Sequence, residues 1–445
     1  MLVSRSVVVA PPADALALVA RARAVGTDTI LWERHADGLA IAGIGAAWAA
    51  TAHGPTRFRD LAVACEAIRA DAVIDADSAA ADPGPFFLST FAFASEVDAE
   101  GPWREFPPGR TVLPRVLVVR RDYKATLTVS ALVEPRSDAE AVQRRLARDW
   151  SSLQEVAQTA RSDSVAGGAP TSYEAVPMPP LTRWKDTVAS AIAAIAGGSF
   201  EKLVLARTCT IRSDRDFDCA RIYRRLRQAY PSCAAFWIGT PNGSFLGATP
   251  ELLVQLTGRT VSTAATAGSI ERGTCPASDR ALARTLVESA KDRHEHAIVV
   301  GAIAAALQPL CDHLEVPALP QILPLQNVQH LTTPITGRLS CPASLLDLVD
   351  RLHPTPAVAG YPREAALAEL RAREGLDRGW YAGPVGWMDA RGDGEFAVAI
   401  RSALIRGREA SLYAGAGIVA ESDPDAELDE TRLKLQPLLS ALMEL

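Results

Sequence analysis

The segment AAFWIGTPNGSFLGAT, residues 234–249, constrains the fold more than any other stretch of the chain. Two β-prone runs flank Asn242-Gly243, a dipeptide that tolerates the positive φ angles of a tight two-residue turn. Such a turn joins antiparallel neighbours, so the sheet that holds it is not an all-parallel one. Residues 386–419 (GWMDARGDGEFAVAIRSALIRGREASLYAGAGIV) repeat the message, reading as a meander of three strands with Gly/Asp turns. The run KLVLARTCTI, 202–211, is a further strand, and candidates lie at 28–44, 84–95 and 112–133.

Helical patterns alternate with these strands. LTRWKDTVASAIAAIAGG, 181–198, is amphipathic and closes on a glycine pair. Long helices are expected over about 277–309 and 424–443, and others at 13–25 and 137–162. Hairpins with helices between them imply helices packed on antiparallel sheets, an α+β architecture. The Gly-, Pro- and Ser-rich stretch 164–180 reads as a linker-like crossing between a less typical part, 1–163, and a core, 181–445.

Composition excludes several function classes. Lys plus Arg is 46 and Asp plus Glu is 52, a net charge of -6, so nothing pulls the chain towards nucleic acid or an anionic membrane. The seven cysteines are scattered and never form a CxxC pair, which suits reduced thiols in a cytoplasm and no structural zinc. The run VVVA before Pro11 is too short for a signal peptide, and AIVVGAIAAAL is far short of the ~18–20 residues of a membrane span.

Chemistry-bearing residues gather in KDRHEHAIVV, 291–300. On a helix, Asp292 stands i,i+3 to Glu295 and i,i+4 to His296, so the three share a face. Two oxygen ligands one turn apart suit a hard cation such as Mg2+. A zinc-protease HExxH pattern fails, because Ile298 stands where the second histidine is needed. The plain alternative is a solvated helix end with Lys291 paired to Glu295. In AELDETRLKLQPLL, Glu427, Glu430 and Lys434 share one helical face, apart from the stripe that Leu428, Leu435 and Leu439 begin. They are either an exposed ion pair or half of a metal site with a cation for a substrate carboxylate. GAGIVA, 415–420, matches a dinucleotide fingerprint but is followed by ESDPD, not by the helix that the motif must open, so that reading is rejected. Strand alternation places Ala397, Ala399 and Arg401 on one face, where Arg401 is either a carboxylate clamp or a surface residue. Lys202 is either an edge gatekeeper or, if desolvated, a general base. Glu251, after Pro250, is a turn carboxylate or a catalytic acid. His330 and His353, each taken singly, read as structural.

Together the segments FEKLVLART, FLGATPELL, TAGSIERG, SAKDRHEHAIVV, VQHLTTPITGRL, LHPTPAVAGYPREAAL, WYAGPVGW, FAVAIRSALI and YAGAGIVAESDPDAELDETRLKL resemble the chorismate-utilising enzymes, and within them the isochorismate synthase branch. They cover nearly all of 181–445 in the family's order, and WERHADGLAIAGIGAAW, 32–48, resembles the menaquinone-type members. The resemblance implies one large α+β domain with two stacked antiparallel sheets covered by helices and a cleft between the halves. It implies that Lys202 activates a water to attack C2 of chorismate, and that Glu251 protonates the departing C4 hydroxyl. Lys202 works as the neutral amine, which desolvation and nearby cations favour. Glu295 and Glu430 then coordinate Mg2+, with Asp292 and Glu427 nearby through water, and the metal ties down the ring carboxylate. Arg401 and Tyr381 hold the pyruvyl carboxylate. Gly268, Ser269, Gly415, Ala416 and Gly417 line the pocket, completed by His330 and Lys434. Ala357, where relatives that use ammonia or eliminate pyruvate tend to carry threonine, points to isochorismate as product.

The implied protein is a cytoplasmic isomerase, a monomer without a glutaminase subunit, serving menaquinone or catechol siderophore biosynthesis. A salicylate synthase is the alternative within the family, and an inactive chorismate-binding protein is the alternative outside catalysis.

Overall fold

The computed structural model describes residues 1–11, 14–133 and 170–443. The helix expected at 137–162 and the first part of the linker-like stretch lie outside them. Residues Tyr173–Met178 of that stretch form an edge strand, not a linker, paired antiparallel with Lys202–Ser213.

Two sheets share one pair of long strands. Leu39–Ala52 and Gly109–Arg121 pair along their whole lengths, with a register shift between Ala46 and Trp48. On one side of that irregularity, residues 39–44 and 116–121 continue into the first sheet. That sheet runs through Thr29–Arg34, Ala234–Thr240, Gly243–Thr249, Ser402–Arg406 and Glu409–Ile418 to Lys202–Ser213. On the other side, 109–112 pairs with Phe86–Phe91. The second sheet then continues through Pro384–Asp389, Gly394–Val398, Leu252–Thr257 and Thr260–Glu271 to Val328–Leu339. All these pairings are antiparallel; Leu2–Val9 with Val73–Ala76 is a parallel pair.

Side-chain alternation stacks the sheets. In the first sheet Phe236, Ile238, Phe245 and Leu404 join one buried cluster with Phe87, Phe91, Val254 and Phe396 of the second. Their neighbours Ala235, Trp237, Leu246, Ala403 and Leu412 turn the other way and pack on the helices Ala15–Ala24, Cys219–Ala229 and Pro424–Met443. A period of two thus lets one strand serve two hydrophobic layers. The second sheet is covered in turn by Ala290–Leu307, which packs on Thr260–Glu271, and by Leu345–Leu352 with Arg57–Ala70.

The hairpin is present, but its two-residue turn is Pro241-Asn242, one residue earlier than expected, with Thr240 opposite Gly243, which already opens the second strand. Three further expectations need correction. The helix expected over 277–309 is two helices, Pro276–Glu288 and Ala290–Leu307. Ser289 breaks it, with ψ at 115°, and its Oγ accepts from the Asp292 amide at 3.2 Å as an N-cap. The meander from Pro384 to Ile418 has four strands, not three. The supposed single strand around Arg401 is two strands in different sheets, and Arg401 lies between them at φ 52°.

Candidate active site

Two strands change sheet at the same level. Gly243–Thr249 belongs to the first sheet and Leu252–Thr257 to the second, with Pro250-Glu251 as the crossing. Gly394–Val398 and Ser402–Arg406 make the opposite transit, with Ala399–Arg401 as the crossing. The crossings are tied together. The Val398 amide donates to the Glu251 carbonyl at 3.0 Å, and the Ala248 amide donates to the Arg401 carbonyl at 3.2 Å. The Thr249 hydroxyl donates to the Val398 carbonyl at 2.7 Å. The sheets part here around a cavity that Glu251 and Arg401 both line. A non-glycine residue at positive φ costs roughly 1–2 kcal/mol, and the interlocked crossings hold Arg401 there.

Lys202 opens the strand that forms one edge of this cavity. Its amine is fully buried and lies 2.9 Å from Glu295 Oε1, off the hydrogen-bond direction, so the contact is an ion pair. Gly417, opposite Val204 in the adjacent strand, makes room for it: a Cβ on Gly417 would lie 2.3 Å from Glu295 Oε1 and 3.0 Å from Lys202 Cε. Burial alone would push the Glu295 carboxyl up, but the Lys202 ammonium, with Lys434 and Lys291 near, holds it below its ordinary value. Glu251 behaves oppositely. Burial pushes its carboxyl up to about 7, against the pull of Lys202, Arg401 and Lys434. Two carboxyls in one site are therefore set apart, one ionised and one able to carry a proton at neutral pH.

The remaining acids surround Glu295. The break at Ser289 sets Asp292 in the first turn of its helix and Glu295 in the next, where the dipole favours anions. Asp292 is raised by burial and by the charges of Glu295 and Glu430. Glu427 is pushed up to about 7 by burial and then by Glu430, and its Oε2 is buried without a partner. Lys291 pairs with Glu427 at 2.6 Å, not with Glu295 as the helix-surface reading had it. Lys434 pairs with Glu430 at 2.5 Å and donates to the Gly415 carbonyl at 2.9 Å. Among the described residues no three potential ligands already converge at metal-binding distance. Mutually repelling carboxylates, an orphaned buried oxygen and an all-oxygen donor set nonetheless fit a hard divalent cation.

The other end of the cavity is built for an anion. Arg401 Nη2 lies 3.2 Å from His330 Nε2, and His330 Nδ1 lies 2.8 Å from Ser269 Oγ. Arginine only donates, so Nε2 is the acceptor and Nδ1 carries the proton. Burial, then the charges of Arg401 and Lys434, push His330 well below its ordinary value, which keeps it neutral. Ser269 faces His330 because Gly268, at φ 78°, shifts the register of its strand. Tyr381 reaches the cavity stacked on Tyr413, with ring centroids 5.0 Å apart.

Of the expected site residues, Glu251, Gly268, Ser269, Glu295, His330, Ala357, Tyr381, Arg401, Gly415, Glu430 and Lys434 line the cavity. Lys202, Gly417 and Glu427 stand behind that wall, and Asp292 packs at Gly268. Ala416 does not line it. It points to the opposite side of its strand from Gly415 and Gly417 and is part of the hydrophobic core. His353 is structural as expected, with Nε2 at 3.0 Å from the Phe93 carbonyl. Sequence reasoning missed Arg378, a fully enclosed residue of the cavity wall. Arg378 pairs with Glu374 and donates to the Val358 and Val204 carbonyls at 2.7 Å each. The spacing Glu374–Arg378, i,i+4, is a signal too common to single it out.

The chain matches the family model described as "Chorismate binding enzyme" over residues 1–443. It is 38% identical over 421 residues to the salicylate biosynthesis isochorismate synthase of Pseudomonas aeruginosa, covering 94% of this chain and 85% of that protein. It resembles the structure of the menaquinone-specific isochorismate synthase of Escherichia coli with a TM-score of 0.79 and 27% identity, over 99% of this chain and 94% of that one. A putative 2,3-dihydroxybenzoate-specific isochorismate synthase from Bacillus anthracis matches with a TM-score of 0.73 and 29% identity, over 93% and 96%.

Proposed function

The chain belongs to the chorismate-binding enzymes, and we propose that within that family it is an isochorismate synthase, a Mg2+-dependent isomerase that reversibly replaces the ring hydroxyl at C4 with one at C2. The observation that carries this is a buried carboxyl, Glu251, held near 7 in the cavity wall, within the electrostatic reach of a buried amine, Lys202, that stands directly behind that wall.

Chorismate brings two carboxylates. Arg401, kept in place by neutral His330, and Tyr381 receive the pyruvyl carboxylate at one end. A divalent cation held by Glu295 and Glu430, with Asp292 and Glu427 behind them, would supply positive charge for the ring carboxylate. Lys202 first gives up to solvent the proton it holds in its ion pair with Glu295, and as the free amine it then takes a proton from the attacking water as that water's oxygen bonds to C2. Both ring double bonds shift, C1=C2 to C1=C6 and C5=C6 to C4=C5, the C4–O bond breaks, and Glu251 gives its proton to the departing oxygen, which leaves as water. One water enters and one leaves, so the product is an isomer. The reverse reaction uses the same groups with their proton states exchanged. Water needs only a base, so no ammonia-delivering subunit is required.

The small side chain of Ala357 in the cavity wall supports stopping at isochorismate. The likeness to the menaquinone-specific enzyme runs over 99% of the chain, including its first part, which supports supply to menaquinone synthesis. We place the enzyme in the cytoplasm as a monomer; no described helix is long and apolar enough to cross a membrane.

The test is incubation with chorismate in Mg2+ and in EDTA, followed by chromatography and NMR. A Mg2+-dependent mixture of chorismate and isochorismate without pyruvate is expected. Salicylate with pyruvate would make the protein a salicylate synthase, and no turnover would leave a chorismate-binding protein.

A further inference from the structure

The helix Pro424–Met443 carries Glu430 and Lys434, and it also carries a buried proline in its interior, Pro437. Proline has no N–H, so the carbonyl four residues back, that of Leu433, loses its intrahelical donor. That carbonyl belongs to the peptide bond that leads into Lys434, whose amine meets Glu430 at 2.5 Å and the Gly415 carbonyl at 2.9 Å. The missing donor therefore falls at the base of the candidate site. It is supplied from outside the helix: Asn327 Nδ2 donates to the Leu433 carbonyl at 2.9 Å. The Tyr230 hydroxyl donates to Asn327 Oδ1 at 3.2 Å, which fixes the end of the amide that faces the helix.

Asn327 sits in the turn between the strands Gln321–Pro324 and Val328–Leu339, where the Leu325 amide donates to the Val328 carbonyl at 2.8 Å. The second of these strands holds His330, the partner of Arg401. The Asn327 carbonyl accepts from the Arg272 amide at 3.3 Å, which fixes the turn to the end of the strand that holds Ser269. One side-chain amide thus joins the strands at the anion end of the cavity to the helix at its acidic end. We propose that Asn327, which does not itself line the cavity, is a positioning residue: it supplies the donor that Pro437 removes, and so sets the peptide before Lys434, and with it Lys434 and Glu430, in register with Arg401 and His330. This rests on Glu430 being a metal ligand and on Lys434 meeting the substrate.

The experiment removes the donor in two backgrounds. Asn327→Ala is made in the parent chain and in Pro437→Ala, where the amide restored at 437 serves the Leu433 carbonyl from within the helix. In the parent, calorimetric Mg2+ affinity without substrate falls about fivefold or more and kcat/KM for chorismate about tenfold, the loss expected for one hydrogen bond at a site where placement governs rate. In Pro437→Ala the same substitution changes both by less than about twofold, because the donor is no longer needed. Asn327→Asp keeps the size and the oxygen that Tyr230 meets but not the donor, and it matches Asn327→Ala in the parent. Parent-like Mg2+ affinity and kcat/KM in Asn327→Ala would overturn the proposal. So would an equal loss in both backgrounds, or one that Asn327→Asp does not share, since either marks a packing role. Glu430→Gln, measured beside them, isolates the premise: an unchanged Mg2+ affinity in that variant removes Glu430 from the metal site, even where Asn327→Ala loses activity.

Discussion

Gly417→Ala adds one carbon to the fold and places it against the centre of the chemistry. The new Cβ would lie 2.3 Å from Glu295 Oε1 and 3.0 Å from Lys202 Cε. An ordinary carbon–oxygen contact is about 3.3 Å, so the carboxylate must retreat by about 1 Å. The obstacle is the far end of a side chain, and Gly417 has no positive φ, so alanine strains no backbone and the fold adjusts at little cost. The ion pair between Lys202 and Glu295 does not survive the shift, and a displacement of about 1 Å at reacting groups costs on the order of 100-fold in rate. Gly415→Ala is the matched control on the same strand. Its Cβ would meet the Tyr381 hydroxyl at 3.3 Å and the Leu205 carbonyl at 3.4 Å, contacts that need only tenths of an ångström. The assay is kcat with saturating chorismate and Mg2+, alongside calorimetric Mg2+ affinity and Tm. Gly417→Ala should lose about 100-fold in kcat and weaken Mg2+ binding, with Tm within about 3 °C of the parent. Gly415→Ala should stay within about fivefold. If Gly417→Ala keeps the parent's rate, the Lys202–Glu295 geometry is not part of the catalytic machinery.

Two further outcomes follow from charge and burial. Glu251 holds its proton more tightly folded than unfolded, so its contribution to stability is complete below about 4.5 and disappears as pH rises through about 7. Glu251→Gln should therefore flatten the decline in Tm between pH 5 and 8, measured calorimetrically without substrate, and an unchanged slope would show that the carboxyl is not raised. Arg401→Lys keeps the charge but loses the fork that meets both His330 and a carboxylate. Its KM for chorismate should rise about tenfold or more, and an unchanged KM would remove Arg401 from the substrate site.

Much of the site was legible because its chemistry is local. Asp292, Glu295, Glu427, Glu430 and Lys434 share helical faces, and that periodicity survives into the structure even though Ser289 splits the first helix. Arg401 was legible as a residue but not in its placement. Alternation presumed an unbroken strand, whereas the chain changes sheet there, and only the pairings of both neighbours reveal it. Ala416 was misread for a related reason: a run of three small residues on a strand alternates, so one of them faces the core. Arg378 carries no periodic or charge-cluster signal, and its role exists only through carbonyls brought near by folding. The helix Arg57–Ala70 was missed because its buried face rests on few side chains, Phe58, Leu61 and Cys65 among them.

The central claim is that water, activated at Lys202, supplies the new hydroxyl while the old one leaves by way of Glu251. Turnover of chorismate in 18O-enriched water tests it most directly, with the product's label located by mass spectrometry and NMR. The account predicts isochorismate carrying one heavy oxygen on C2, and recovered chorismate that slowly gains label at C4 through the reverse reaction. Isochorismate formed at the normal rate without label would contradict it, because the hydroxyl would then have moved within the molecule and neither Lys202 nor Glu251 would have the role assigned to it.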